Sequence, residues 1–243
     1  FTMNEIGQSI TQQAYERLRA DVLACRLPPG SRLRINDLCS ELNVSLGAVR
    51  EALSRLTSEG LVIAEPQRGF RVTEISKAEL KDLTAVRIDI ESKCLARAIK
   101  VGDLAWESRL VAAYHELSRT PERTPDDSQR LNDAWSSLHR DYHEALVCAC
   151  DSPWLLRIRS MLYAQSERYR RLSVPLARTA RNIDKEHRAI LNAVVARNTK
   201  KACSLLISHI EKTTKILLEN NPTDQVSRSG RDNGAHLAKY ALR

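Results

Sequence analysis

The stretch VSLGAVREALSRLTSEGLVIAEPQRGF, residues 44–70, leaves few folds open. Val49, Leu53 and Leu56 recur at helical spacing, Ser45 stands where an N-cap belongs, and Gly60 stands where a left-handed residue ends a helix. Two short strand-like runs, 61–64 and 70–73, follow at once, joined by Glu65-Pro66-Gln67-Arg68-Gly69. Upstream, the four-residue spacing of Ile10, Ala14, Leu18 and Val22 predicts an amphipathic helix over 9–26, stopped by Pro28-Pro29-Gly30. Asn36 reads as the N-cap of a short second helix carrying Leu38 and Leu42, and Asn43 as a tight-turn residue. Three short helices and a hairpin make a winged helix-turn-helix, whose third helix enters a major groove by its N-terminal end. The first turn of that helix, Ser45-Leu46-Gly47-Ala48, is nearly bare, which permits close approach. A helical hairpin with a β-hairpin used only for packing satisfies the same pattern.

Charge must then be judged by its placement. The chain has 243 residues and a formal net charge of +8. Residues 1–76 nevertheless hold 9 basic and 9 acidic side chains, whereas residues 153–220 hold 14 basic and 5 acidic. Nucleic-acid binding by the first segment therefore rests on individual groups. Arg50 lies one turn into the third helix, in reach of a guanine edge. Arg68 and Gly69 form a wing tip suited to a minor groove or a phosphate. Arg34, Ser45, Gly47 and Ala48 complete the candidate contacts, the last three through close approach and the free N–H groups of a helix start.

The segments PPGSRL (28–33), LNVSLGAVREALSRLTSEGLV (42–62) and RGFRV (68–72) resemble, in that order, the N-terminal domain of the GntR superfamily of bacterial transcription regulators. The resemblance implies a winged helix-turn-helix over residues 8–75 and binding to double-stranded operator DNA. Such regulators usually carry Arg-Thr-Pro or a similar triplet where this chain has Leu46-Gly47-Ala48. The family contact made by that Arg is absent, so the operator sequence does not follow.

Beyond a connector at 74–77 the pattern is helical throughout, so the whole chain is expected to be mainly α, with an all-α bundle over residues 76–220. The expected helices are 77–100, 103–119, 129–150, 153–172, 184–197 and 199–219, with loops at 119–128 and 173–183. Asp184 and Thr199 are the expected caps of the last two. Residues 221–243 lack a long period and are expected to form a mobile C-terminal tail. No apolar run approaches the ~18 residues of a membrane span. The six cysteines show no C-x-x-C pair, which favours reduced thiols and a cytoplasmic location over a disulfide framework.

Four histidines stand out in the bundle. His139 and His143 are four apart and share a helix face, while His187 and His209 sit on the apolar stripes of the last two helices. They could converge on one divalent metal ion. By spacing alone the plainer reading, ordinary core or rim histidines or a solvated pair, leads slightly.

Here too a resemblance adds to the pattern. LTAVRIDIESKCLARAI (83–99), LHRDYHEALVCACDSPWLLRI (138–158), KEHRAILNAVVARN (185–198) and ACSLLISHIEKT (202–213) resemble the helical ligand-binding domain of the FadR-type subgroup, the FCD domain. Many members hold a divalent metal with an Asp and three His. The resemblance carries the three His positions to His143, His187 and His209, and places His139 where the family has Asp. Imidazole still suits zinc, or alternatively nickel. One carboxylate fewer leaves the site one charge more positive, favouring an anion in an open coordination position. Asp141 lies on the opposite helix face and is a poor substitute. The resemblance also makes Arg87 the partner of an effector carboxylate, whereas by pattern alone Glu91 at i+4 is its structural partner. Tyr169 and Arg170 are candidates for the same pocket, against a plainer reading as part of a solvated arginine run.

The expected function is a homodimeric transcription regulator on a pseudo-palindromic operator, controlled by a small organic acid bound at the metal. A constitutive DNA binder with a structural metal is the first alternative. A metal hydrolase is the second, and it is disfavoured because Val147 breaks the H-E-x-x-H pattern begun by His143-Glu144. An enzyme is therefore not expected.

Overall fold

Ser9 starts the first helix in the computed structural model, which describes residues 9–124, 126–173 and 181–220. Its hydroxyl accepts from the Gln12 N–H at 3.2 Å, and α1 runs over Ile10–Leu23. Helix α2 (Ile35–Leu42) begins one residue before the expected cap: Arg34, not Asn36, holds the N-cap position, without a side-chain hydrogen bond. Asn43 takes the left-handed conformation (φ 53°) that turns the chain into α3 (Leu46–Ser58). Ser45 caps α3, accepting from the Ala48 N–H at 3.3 Å, and Gly60 at φ 71° releases the chain beyond it. Leu18, Val22, Val49, Leu53 and Leu56 close the core of this bundle.

The expected hairpin is strands β2 (Val62–Glu65) and β3 (Gly69–Val72), antiparallel, with Ile63 opposite Arg71. A third strand, β1 (Arg32–Leu33), pairs with the free edge of β3, so the order is β1-β3-β2. Two residues are too few to show alternation, and so the pattern did not announce β1.

The chain divides into two compact units at Ser76/Lys77. The second unit contains α4 (Lys77–Val101), α5 (Leu104–Arg119), α6 (Asp133–Ala145), α7 (Pro153–Ser173), α8 (Ile183–Val195) and α9 (Thr199–Asn220). Trp106 is fully buried there, its indole N–H donating to the Ala145 carbonyl at 2.7 Å. Residues expected as loop and early helix instead form a hairpin, β4 (Arg123–Thr124) with β5 (Asp127–Leu131). Helix α6 consequently starts late, at Asp133, where the Asn132 side chain accepts from the Ala134 N–H at 2.9 Å. Asn182 and Asn198 cap α8 and α9 in place of Asp184 and Thr199. An asparagine upstream captured each helix start, since an amide caps about as well as a carboxylate and better than the threonine hydroxyl.

All six cysteines are free thiols, and burial pushes the Cys94 thiol up to about 12. Among the described residues no helix is long and apolar enough to cross a membrane. Residues 221–243, expected as a tail, and 174–180 of an expected loop lie outside the described residues.

Candidate functional site

Three helices of the second unit bring the four histidines together. His139 and His143 project from α6, His187 from α8 and His209 from α9, and one ligand nitrogen of each lies within 4.8 Å of all the others. All four are buried. Each is hydrogen-bonded, or held through its backbone, by a neighbour. The Tyr163 hydroxyl lies 3.1 Å from His139 Nδ1, and Glu186 Oε2 lies 3.0 Å from His209 Nδ1. With Nδ1 so engaged, Nε2 is the nitrogen that each of these rings offers to the cluster. The Tyr142 hydroxyl donates to the His187 carbonyl, and Arg159 Nη2 to the His143 carbonyl, both at 2.8 Å.

Burial holds His139, His143 and His187 well below the usual imidazole range, helped by the neighbouring cations and rings. His209 is lowered too, by burial against the pull of Glu186. Neutral imidazoles keep a lone pair for a metal. Both ring nitrogens of His143 and Nε2 of His187 are buried without a hydrogen-bond partner among the described residues. Buried polar atoms are almost always satisfied, so these orphans point to an absent partner. Four neutral nitrogen donors facing one point, supported by a tyrosine and a carboxylate behind the rings, fit a divalent metal ion. Asp141 is exposed and pairs with Arg140, as its helix face requires.

A cavity of about 90 Å³ opens beside this cluster, with His139, His143 and His209 in its wall. A single water needs only about 10–15 Å³ by this measure, so a small organic molecule is within its capacity. Arg87, Arg170 and Arg181 also line it. Arg87 Nε donates to Glu91 at 3.1 Å, so the structural partner named from the pattern is present and the guanidinium still borders the cavity. Arg159 Nε donates to the other oxygen of Glu91, also at 3.1 Å. Burial works against the Glu91 charge, but Arg159 and Arg87 outweigh it and hold the carboxyl below its usual range.

Tyr169 and Arg170 are both buried, which corrects their reading as part of a solvated run. They also part company. Tyr169 is not in the cavity wall; its hydroxyl donates to Glu79 at 2.6 Å. Arg170 is in the wall, its guanidinium over the Trp135 ring and two of its nitrogens on Glu167. The residues that pattern reasoning did not find are Arg181, Glu186, Arg159 and Tyr163. Arg181 donates to Glu186 at 2.6 Å and to Thr213 at 2.8 Å. Glu186, Arg159 and Tyr163 meet His209, Glu91 and His139 across helices, which no linear pattern marks, and Arg181 precedes α8 and so falls outside any helical stripe.

In the first unit, Arg50, Gly47 and Leu46 are exposed at the start of α3, Leu46 at 43%. Ala48 turns inward and is buried, so its methyl belongs to the core and not to the outer face. The Ser45 hydroxyl is engaged as the cap. Arg34 and Arg68 are exposed, and Arg32 donates to the Arg68 carbonyl at 2.7 Å, tying the wing turn to β1. Gly69 sits at φ 89°, a conformation that favours glycine.

Comparison with known proteins gives matches over both units. Residues 10–72 match the family model of bacterial regulatory proteins, gntR family, and residues 82–212 match that of the FCD domain. The chain is 44% identical over 210 residues to the HTH-type transcriptional regulator BphR of Paraburkholderia xenovorans, covering 86% of each chain. It is 33% identical to the HTH-type transcriptional repressor GlaR of Escherichia coli, over 81% of this chain and 90% of that one. Among solved structures, E. coli McbR/YncC superposes with a TM-score of 0.73 at 22% identity, over 88% of this chain and 99% of the other. A GntR regulator from Rhodococcus superposes with a TM-score of 0.70 at 23% identity, covering 87% and 99%. These similarities are to transcription regulators and not to enzymes.

Proposed function

Because the chain belongs to the gntR family of bacterial regulatory proteins and carries an FCD domain, we propose that it is a cytoplasmic, homodimeric regulator whose operator affinity is set by a small carboxylic acid bound at a metal ion in the helical unit. The observation that carries this reading is the cluster of four buried, neutral histidines, three of which, His139, His143 and His209, stand in the wall of an arginine-lined cavity. His139 and His209 would hold the ion through Nε2, with His143 and His187 completing the set. Zinc fits this donor set best, with nickel the alternative. When bound, the ion supplies fixed positive charge and an open coordination position for an acid oxygen. The protein's part is to exclude water, to orient the rings through Tyr163 and Glu186, and to offer the Arg87 guanidinium to a carboxylate.

The DNA half of the reading uses Arg50, Gly47 and Ser45 at the start of α3, with Arg34, Arg68 and Gly69 at its flanks. A homodimer presents two such helices to the half-sites of a pseudo-palindrome. Coupling between the sites is reciprocal: operator DNA changes acid affinity by the same factor as the acid changes operator affinity.

A thermal-shift screen of the purified protein against small carboxylic acids, before and after chelation, tests the proposal. An acid at 100 times its dissociation constant adds about 2.7 kcal/mol of stability. The expected result is a raised midpoint with one or more acids in the metal-loaded protein only, lost in Arg87→Ala and His143→Ala. Lowering by chelation with no acid response would instead favour a structural metal and constitutive DNA binding.

A further inference from the structure

Leu46 opens α3 with 43% of its surface exposed. The exposed residues of that helix are Leu46, Gly47, Arg50, Glu51, Ser54 and Ser58, and Leu46 is the single apolar side chain among them. An exposed leucine is ordinary in itself. This one stands at the end of the helix that a winged helix-turn-helix inserts into the major groove.

Gly47, beside it, serves no need of the fold. Its φ lies outside the left-handed region, unlike those of Gly30, Gly60 and Gly69. A Cβ built on it would meet only the Ser45 hydroxyl, at 3.9 Å, an ordinary contact. Glycine weakens a helix relative to alanine, so neither backbone nor packing accounts for it. What it permits is approach from outside. With no side chain at 47 and the Ala48 methyl turned inward, the first turn of α3 can lie close against the bases. Leucine is shorter than arginine and reaches a base edge only from a helix seated that closely. The short side chain at 46 and the missing one at 47 therefore belong together.

Leucine reads a base without hydrogen bonds. In the major groove each base presents nitrogen or oxygen atoms, and thymine alone adds a methyl group. A leucine placed over N7, O6 or N4 displaces their water and returns no bond, which is costly. Over the thymine C5 methyl it buries apolar surface on both sides. We propose that Leu46 is a specificity-determining residue that reads one thymine of each operator half-site through its C5 methyl. This rests on the DNA-binding reading of the first unit and assigns a base to it. The preference is enforced twice, by the methyl contact with thymine and by the unpaired polar edge of any other base.

The test lets the purified full chain select duplexes from a randomised DNA pool, with and without a mixture of small carboxylic acids. Each thymine of the enriched sequence is then replaced in turn by uracil, which lacks only the methyl, and binding is read by fluorescence anisotropy. At one thymine per half-site, uracil should weaken binding about fourfold, the worth of one buried methyl. Leu46→Ala should bind the thymine and uracil duplexes equally. Leu46→Ser makes the same deletion with a polar tip and serves if the first variant does not fold. Tolerance of uracil at every thymine, or a methyl effect that survives in these variants, overturns the proposal and leaves DNA binding intact. Enrichment of no sequence overturns both.

Discussion

The two units of the chain solve the same packing problem with opposite materials. The core of the first is aliphatic: Leu18, Val22, Val49, Leu53 and Leu56 close on one another, and its one buried charge among the described residues is Asp21, paired with Arg26 at 2.6 Å. Its candidate chemistry, Arg34, Arg50 and Arg68, is exposed. The second unit buries four histidines, Glu91, Arg159 and Arg170 inside an otherwise apolar bundle. The difference follows from what each partner requires. DNA is a surface that comes to the protein, so groups that touch it cost nothing to hydrate beforehand. A small acid must be surrounded, so the groups that grip it have to be desolvated in advance and held by one another.

That contrast can be broken experimentally. The sharpest cut is Glu91→Leu, which strands Arg87 and Arg159 in the interior. Removing one partner of a buried ion pair costs about 4 kcal/mol. All three tryptophans of the chain, Trp106, Trp135 and Trp154, lie in the second unit, so fluorescence-monitored denaturation reports this loss directly. An unchanged midpoint would mean that water, not Glu91, satisfies these arginines. Next in size, Leu56→Ala opens a cavity in the first unit at about 3 kcal/mol. It should reduce operator binding and part of the helical circular dichroism while leaving the tryptophan transition in place. Movement of the tryptophan signal would show that the two cores do not stand apart energetically. The smallest effect is expected of Ser45→Ala, which removes the α3 cap at about 1 kcal/mol. A loss of operator affinity well beyond that figure would indicate that the Ser45 hydroxyl touches DNA as well as the Ala48 N–H.

The first unit was the more legible of the two for the same reason. Its helix starts, turns and stripe of apolar residues are local, and Ser45, Asn43 and Gly60 all do what their residue types suggest. The exceptions are short or finely balanced: the two-residue β1, and Arg34 at the start of α2. Ala48 was misjudged because the first turn of a helix already has an inner face, and composition does not say which residue takes it. In the second unit the hairpin at 123–131 escaped notice because its strands show no apolar alternation. Tyr169 and Arg170 are adjacent in sequence, yet one bonds Glu79 and the other faces the cavity. A helix turns about 100° per residue, so neighbours rarely share a surface.

By itself, then, the sequence determined the order and type of nearly all the elements, the winged helix-turn-helix, and the four histidines as candidates, since these depend on spacing along one helix or on the residues that begin and end it. Only the tertiary structure decided that α6, α8 and α9 bring those histidines within 4.8 Å, that Glu186 and Tyr163 stand behind two of them, and that Arg170 rather than Tyr169 reaches the cavity. Contacts between helices far apart in the chain are set by how whole faces pack. No local pattern encodes which side chain from one face will meet which from another.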